Sequence, residues 1–373
     1  MYVSTPGQMR TLMGMAVPTS VAVDTSGNVY SPDIEWIQIW KWTATNNAAG
    51  PLDISGLSKP WGVAVDNVAN VYMVDYAGWA GVWLPVNNTG GTLCIGLTRP
   101  EGIAVDDAGN VYIADTGASR IAKWSPLTRD LTTVVSSGLG YPGGVVVDKM
   151  GNLYIADSGG IEKWTAASSS LTNLVSAGLN SPSGVAVDGS GNVYIADTYD
   201  NAIKEWTPGN NTVTALVSSG LYTPYDVAVD QTGVLYIADT GDGVVKAFGY
   251  GFVDPTAKLE SSASGYDVLP IVLTVKANLL DLFPPTSDAP WLTITGITNG
   301  VVGFSVATNS GPPRIGLIKL LGLSVPIVQV STGPPIELIA VPTPGAFKVA
   351  LGDTQNSSFT VLSSTNPFLP MTN

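Results

Sequence analysis

A proline recurs at positions 18, 60, 100, 142, 182 and 224, with steps that alternate between 42 and 40 residues. A period of this length means stacked units, each too small to bury its own apolar faces without a neighbour. The clearest unit reads Pro182-Ser-Gly-Val-Ala-Val-Asp188, then Gly191-Asn-Val-Tyr-Ile-Ala-Asp197, then Ile203-Lys-Glu-Trp206, then Val213 to Gly220. It holds four short runs rich in β-branched and aromatic residues, parted by turn residues, which is one four-stranded antiparallel blade. Val185-Ala-Val187 is small and apolar, as an innermost strand beside a crowded axis requires. In the turn Asp188-Gly-Ser-Gly-Asn192 the aspartate accepts from nearby backbone amides and a glycine takes the left-handed conformation. Blade two carries Ala69 in place of that glycine and blade six carries Val234 in place of the asparagine. Those two turns are expected to be less regular.

A residue ring closes the third strand of each unit: Trp42, Trp83, Trp124, Trp164, Trp206 and Phe248. At one aromatic per unit this is packing between blades, not a binding surface. No fourth strand follows Phe248, because Gly249-Tyr-Gly leads elsewhere, whereas Gln8 to Met15 lies where a fourth strand is needed. The chain's beginning is therefore expected to complete the last blade and hide a sheet edge. The repeated motifs resemble the NHL repeat over roughly Met1 to Phe248. The resemblance implies an all-β chain that begins with a six-bladed β-propeller.

Composition agrees with short strands and tight turns: charged residues make up 12%, with 42 Gly and 26 Pro. The net charge of −13 and the lack of any basic run argue against a nucleic-acid surface. Two aspartates recur per unit. One set is Asp24, Asp66, Asp106, Asp148, Asp188 and Asp230; the other is Asp33, Asp75, Asp115, Asp157, Asp197 and Asp239. Without these twelve, 17 acidic residues face 16 basic ones, so the low pI is mostly a by-product of the repeat. Hard cations need several oxygens converging on one point. These carboxylates recur singly, which favours turn capping over metal binding, and no cofactor is implied.

Histidine is absent, which removes the commonest general base and the usual catalytic-zinc ligand. The single cysteine, Cys94, sits between Leu93 and Ile95 as a strand residue and has no internal disulfide partner. Some NHL-like propellers are lyases that use histidine and metal, neither of which has a substitute cluster here. A carboxylate pair such as Glu101 with Asp115 remains open for acid–base work, but nothing singles it out. A non-enzymatic protein is the expectation, with a lyase or hydrolase as the minor alternative.

Positions shared by all blades are explained by the fold, so specificity is expected where blades differ. The residue after each proline, at the channel mouth, runs Thr19, Trp61, Glu101, Gly143, Ser183, Tyr225. The loops between second and third strands add Glu35, Trp36, Trp79, Arg120, Tyr199 and Asp200. The candidate ligand or interface face is therefore Trp36, Trp61, Trp79, Glu101, Arg120, Tyr199 and Tyr225, whose aromatics suit a sugar or a protein anchor.

The boundaries read as a propeller over 1–250, a linker over 251–258, a small sandwich over 259–331 and a short β-rich segment over 332–373. Strands are expected at Val268 to Val275, Trp291 to Thr295, Val301 to Ala307, Ile315 to Leu321 and Val325 to Val330. Ser287-Asp-Ala-Pro-Trp-Leu-Thr-Ile-Thr295 with Asn299 to Asn309 resembles the BACON domain, a bacterial immunoglobulin-like module of extracellular proteins. That resemblance implies a cell-surface or extracellular setting, with Trp291 in the module's core. The last strands, through Ser358 to Ser363, read as an unfinished sandwich that either continues past Asn373 or pairs with something else. No run is long enough to span a bilayer and no signal peptide is visible at Met1, as a processed N-terminus would explain.

The leading expectation is thus a structural or adhesive subunit that self-assembles, as a homo-oligomer or polymer, through its C-terminal strands and propeller face. The alternative is a monomeric surface receptor for a glycan or another surface protein. Sequons at Asn87, Asn210 and Asn356 offer glycosylation sites in a suitable host.

Overall fold

The computed structural model describes residues 3–4, 8–209, 211–231, 233–249, 252–253, 257–269, 271–272, 285–298, 301–320, 323–331, 339–343 and 346–350. It divides into two compact units, Met9–Phe248 and a second made of Met1–Gln8 with Gly249–Asn373.

The first unit is a propeller of six four-stranded antiparallel blades. Blade five shows the pattern, with strands Pro182–Val187, Val193–Asp197, Ala202–Thr207 and Thr212–Val217. In all six blades the second strand is buried along its whole length, as at Val193–Asp197 and Leu235–Asp239. Neighbouring blades cover both of its faces, so it shows no polar alternation, as in the Val-Tyr-Ile-Ala-Asp of blades three and five. The core consequently lies between blades. Ala64, Val74 and Leu97 of blade two cluster with Ile103, Ile113 and Trp124 of blade three, and the same happens between blades three and four and between four and five. The third-strand aromatics join this packing: Trp42, Trp124, Trp206 and Phe248 are buried. The indole nitrogens of Trp42, Trp83 and Trp206 each donate to an asparagine five residues on, Asn47, Asn88 and Asn211. Those asparagines hold the left-handed conformation in the outer hairpin, which Asn tolerates better than most residues.

The first set of aspartates builds the inner turns. Asp188 Oδ1 accepts from the amides of Ser190 and Asn192 at 2.8 and 2.9 Å, while Oδ2 accepts from Asn192 Nδ2 and the Tyr194 hydroxyl. Blades two and six, expected to be less regular, keep the same pattern. Asp66 accepts from the amides of Val68 and Asn70, and Ala69 takes φ +66°. Asp230 accepts from Val234 N at 3.0 Å and from the Tyr236 hydroxyl. The carboxylate organises the turn through backbone amides, which any residue supplies, so neither the glycine nor the asparagine side chain is required. The same contacts act on the tyrosines: burial first, then the charge of Asp66 or Asp106, pushes Tyr72 and Tyr112 up to about 12.

Ring closure uses the chain's beginning, as the missing fourth strand implies. Gln8–Gly14 lies beside Val244–Gly249 as the outer strand of blade six. Met15 N donates to Gly243 O at 2.8 Å. The Thr240 hydroxyl of blade six donates to Pro18 O of blade one at 2.6 Å. The same bond joins Thr116 to Pro142 O and Thr198 to Pro224 O between other blades. The closing junction thus repeats the internal ones.

In the second unit, Lys258–Glu260 runs parallel to Leu323–Gln329, which continues the sheet through Arg314–Leu320 to Thr286–Ser287. A three-stranded sheet comprises Gly265–Leu269, Val301–Val306 and Leu292–Thr298. Phe304, Ile318 and Ile327 are fully buried, and Trp291 is half-buried beneath the Arg314 guanidinium, 4.3 Å from its ring centre. Within 251–258, the stretch read as a linker, Phe252–Val253 pairs with Val3–Ser4 and Ile271–Val272, and Lys258 opens a strand. Of residues 332–373 the hairpin Ile339–Thr343 with Ala346–Ala350 is described. Ser358 to Ser363 lies outside the described residues.

Two outcomes follow for stability. Removing residues 1–14 opens an edge of blade six, deletes the buried Met13 and loosens the buried Met15 that follows it. Their burial contributes about 3–6 kcal/mol together, so calorimetry should show the propeller transition lowered by about 10 °C. Ala69→Gly removes a left-handed strain of about 1 kcal/mol, and its melting point should rise by about 2–4 °C.

Candidate functional site: the mouth of the axial channel

The first strands of the blades surround an axial cavity of about 180 Å³. Its wall is valine-rich, with Val21, Val63, Val145, Val185 and Val227. All six post-proline residues, Thr19, Trp61, Glu101, Gly143, Ser183 and Tyr225, line the same cavity, so these repeat-variable positions do converge.

Tyr225 lies across the opening. It belongs to blade six and Glu101 to blade three, on the opposite side of the ring, yet the Tyr225 hydroxyl donates to Glu101 Oε2 at 3.0 Å. Trp61 of blade two meets the Tyr225 ring edge-on at 5.8 Å and stands 4.9 Å from Tyr76. Lys59 places its ammonium 4.6 Å from the Tyr76 ring centre and 5.2 Å from that of Trp61. Arg99 lies over Tyr141 in the same way at 5.5 Å. Glu101 is only 7% exposed. Burial pushes its carboxyl upward, against the Tyr225 hydrogen bond and the charges of Arg99 and Lys59. Burial and the Glu101 charge likewise hold Tyr225 protonated. The Trp61 carbonyl accepts from Thr19 Oγ1 at 2.6 Å, while its indole N–H is buried with no acceptor among the described residues.

The second set of aspartates positions these loops. Each is buried and accepts from a backbone amide 16 or 17 residues upstream, in the loop leading into its own blade. Asp75 binds Ser58 N and Lys59 N, Asp115 binds Thr98 N, and Asp157 binds Gly140 N and Tyr141 N. Asp33, Asp197 and Asp239 do the same for Ala16, Asn180 and Tyr222. The loops so anchored in blades two, three and four carry Lys59, Arg99 and Tyr141 to the mouth. Among the described residues, no three Asp, Glu or Cys side chains converge as a metal would require.

Trp36, Trp79, Arg120 and Tyr199, the other expected face residues, do not line the cavity. Trp36 is 47% exposed and lies tilted against Trp40, with ring centres 5.3 Å apart. Arg120 is held by Asp115 at 2.7 Å and by Thr133. Tyr199 is exposed, and Trp79 lies at the outer edge between blades one and two. Asn87 is exposed in an outer hairpin; Asn210 and Asn356 lie outside the described residues.

Lys59, Tyr76, Arg99, Tyr141 and Asp226 escaped sequence reasoning. Asp226 had a legible signal. The second residue after the proline is Gly62, Gly102, Gly144 and Gly184 in blades two to five. A Cβ at Gly62 or Gly102 would lie 2.2 or 2.3 Å from the next blade's carbonyl oxygen, at Glu101 or Gly143, so only glycine permits that approach. Blades one and six depart from this with Ser20 and Asp226, which meet where the ring closes. Ser20 Oγ donates to Asp226 Oδ2 at 2.7 Å, joined by Val21 N at 3.0 Å and by Val227 N to Oδ1 at 2.9 Å.

The NHL repeat model matches residues 97–124 and 179–206. Among curated proteins, none matches this chain. Solved structures share the propeller fold. A Bacteroides thetaiotaomicron protein of unknown function is 16% identical, with TM-score 0.54, covering 66% of this chain and 73% of that one. An auxiliary nutrient binding protein from Bacteroides ovatus is 15% identical, with TM-score 0.54 and coverage of 64% and 70%. A gluconolactonase from Xanthomonas campestris is 14% identical, with TM-score 0.56 and coverage of 65% and 90%. At these identities the likeness is one of fold.

Burial raises Asp226 from 3.8 to about 6, with its three donors opposing. A raised folded-state value favours the protonated form, so its stabilisation is complete below pH 4 and lost as pH rises through 6. That is about 2–3 kcal/mol. In Asp226→Asn this component vanishes, and the wild-type melting point minus that of the variant should fall by about 5–10 °C between pH 4 and 8. A constant difference across that range would contradict the assignment.

Proposed function

We propose that this chain is a non-catalytic binding protein of the cell surface or extracellular space, and that its channel mouth takes the end of a neutral saccharide. The carrying observation is the convergence of Trp61 and Tyr76 with the buried Glu101 carboxylate at one opening. An aromatic pair covers the C–H face of a sugar ring, and a carboxylate in low dielectric accepts strongly from its hydroxyls. Lys59 and Arg99 add donors at the rim. The binding reading is in keeping with the auxiliary nutrient binding protein among the structural neighbours, and the setting rests on the BACON-like reading of 259–331, which would act as a spacer. No helix among the described residues is long and apolar enough to cross a membrane.

The non-enzymatic reading rests on how the acids are engaged. Asp115, the partner weighed for Glu101 in acid–base work, is buried and held by Arg120 and the Thr98 amide. Of the carboxylates that line the cavity, Glu101 accepts from Tyr225 and Asp226 from Ser20 and the Val21 and Val227 amides. The neighbours include a gluconolactonase, so the fold itself admits enzymes. Self-assembly by strand exchange falls on 332–373, most of which lies outside the described residues, and the saccharide reading does not depend on it.

Calorimetric titration of the full chain with a panel of neutral mono- and oligosaccharides tests this. At least one should bind, and Trp61→Ala and Glu101→Gln should each weaken it by about tenfold, or 1.4 kcal/mol. Absence of binding across the panel, or equal affinity in both variants, would sink the reading.

A further inference from the structure

Blade two, formed by Pro60–Val65, Val71–Asp75, Trp79–Leu84 and Thr89–Ile95, departs from its siblings in its outer half. In blades three, four and five an apolar residue sits directly opposite the third-strand tryptophan: Leu131 on Trp124, Leu171 on Trp164, Val213 on Trp206. Each pair belongs to a hydrophobic cluster. In blade two the residue opposite Trp83 is Gly90, followed by Gly91 opposite Val82. On this strand Trp83 thus faces bare backbone; it is half-buried, as Trp164 is, whereas Trp42, opposite Ala49, is 2% exposed.

The uncovered surface is a groove of about 460 Å³ at the outer edge between blades one and two. Trp79 and Trp83 line it and also pack against the core cluster around Val63 and Met73, which fixes both rings. A third glycine, Gly81, belongs to the same arrangement: a Cβ there would lie 2.7 Å from the Trp79 ring, so glycine lets that ring lie on the strand. The rim is polar and exposed, with Asp53, Ser55 and Thr92, and no Lys or Arg lines the groove. Asn88 Oδ1 accepts from Trp83 Nε1 at 3.3 Å and orients the ring.

We infer that this groove is a second saccharide site, separate from the mouth, which takes a stretch of neutral polysaccharide. Two fixed indoles over a bare backbone floor offer stacking surface for sugar rings, and the hydroxyl and carboxylate rim serves their hydroxyls. The lack of basic residues disfavours an anionic chain. A peptide adding to the edge strand Thr89–Ile95 would use backbone groups and would not need the tryptophans.

The test is native affinity electrophoresis of the full chain through gels containing mixed-linkage β-glucan, xylan or galactomannan. At least one should retard the wild type. Gly90→Val restores the cover that Val213 supplies in blade five, and its Cβ meets Val82 O at 3.2 Å, which a small shift relieves. The variant should still unfold in one cooperative thermal transition while weakening retardation at least tenfold. Trp83→Ala should weaken the retardation as much, at a lower melting point because its ring packs on the cluster around Val63 and Met73, and Trp61→Ala should leave the retardation in place. Wild-type retardation in both Gly90→Val and Trp83→Ala, or no retardation by any polymer, would overturn the inference. Retardation lost only in Trp61→Ala would assign the polymer to the mouth, removing the groove while sparing the mouth.

Discussion

Everything in the propeller depends on the second strand of each blade being buried on both faces. A strand with no solvent face has to be sandwiched, so every blade requires a neighbour on each side and the series has to return to its start. This puts the hydrophobic core between blades. The Thr hydroxyl to proline carbonyl bond is found at two inner junctions and occurs again from blade six to blade one. The outer strand borrowed from Gln8–Gly14 finishes what the inner junction begins, by removing the last open edge.

The repeat also prepares the mouth. A buried aspartate at the end of each second strand accepts from the loop that leads into its own blade, so that loop is anchored in every unit whatever its sequence. Side chains at its tip are then free to differ. Blade two offers Lys59, blade three Arg99 and blade four Tyr141, on one common backbone. The same separation of scaffold from variable position recurs at the outer edge, where Gly90 replaces a residue that other blades use as cover.

The six-blade count, the inter-blade role of the aromatic ring and the closing strand are all legible in the sequence, because each follows from a period and from a strand that is missing. The expectation of looser turns at Ala69 and Val234 failed because it weighed the glycine and asparagine side chains, whereas the aspartate binds backbone amides. Trp61, Glu101 and Tyr225 were legible as differences at one repeat position. Their mutual contact was not, since Tyr225 reaches across the axis to a residue 124 positions away. Trp36, Trp79, Arg120 and Tyr199 vary in the same way and yet stay away from the cavity, since variation marks freedom from the repeat and not location. Asp226 and Ser20 could have been noticed as departures from glycine, but only closure makes them neighbours.

By itself, then, the sequence determined the architecture of the propeller, because local periodicity and the need to bury both faces of each blade admit a single kind of assembly. The tertiary structure decided which of the variable residues meet. Contacts across the axis, at the seam and along the outer edge join residues from different repeats. They depend on ring geometry and side-chain reach, which no local pattern in the chain encodes.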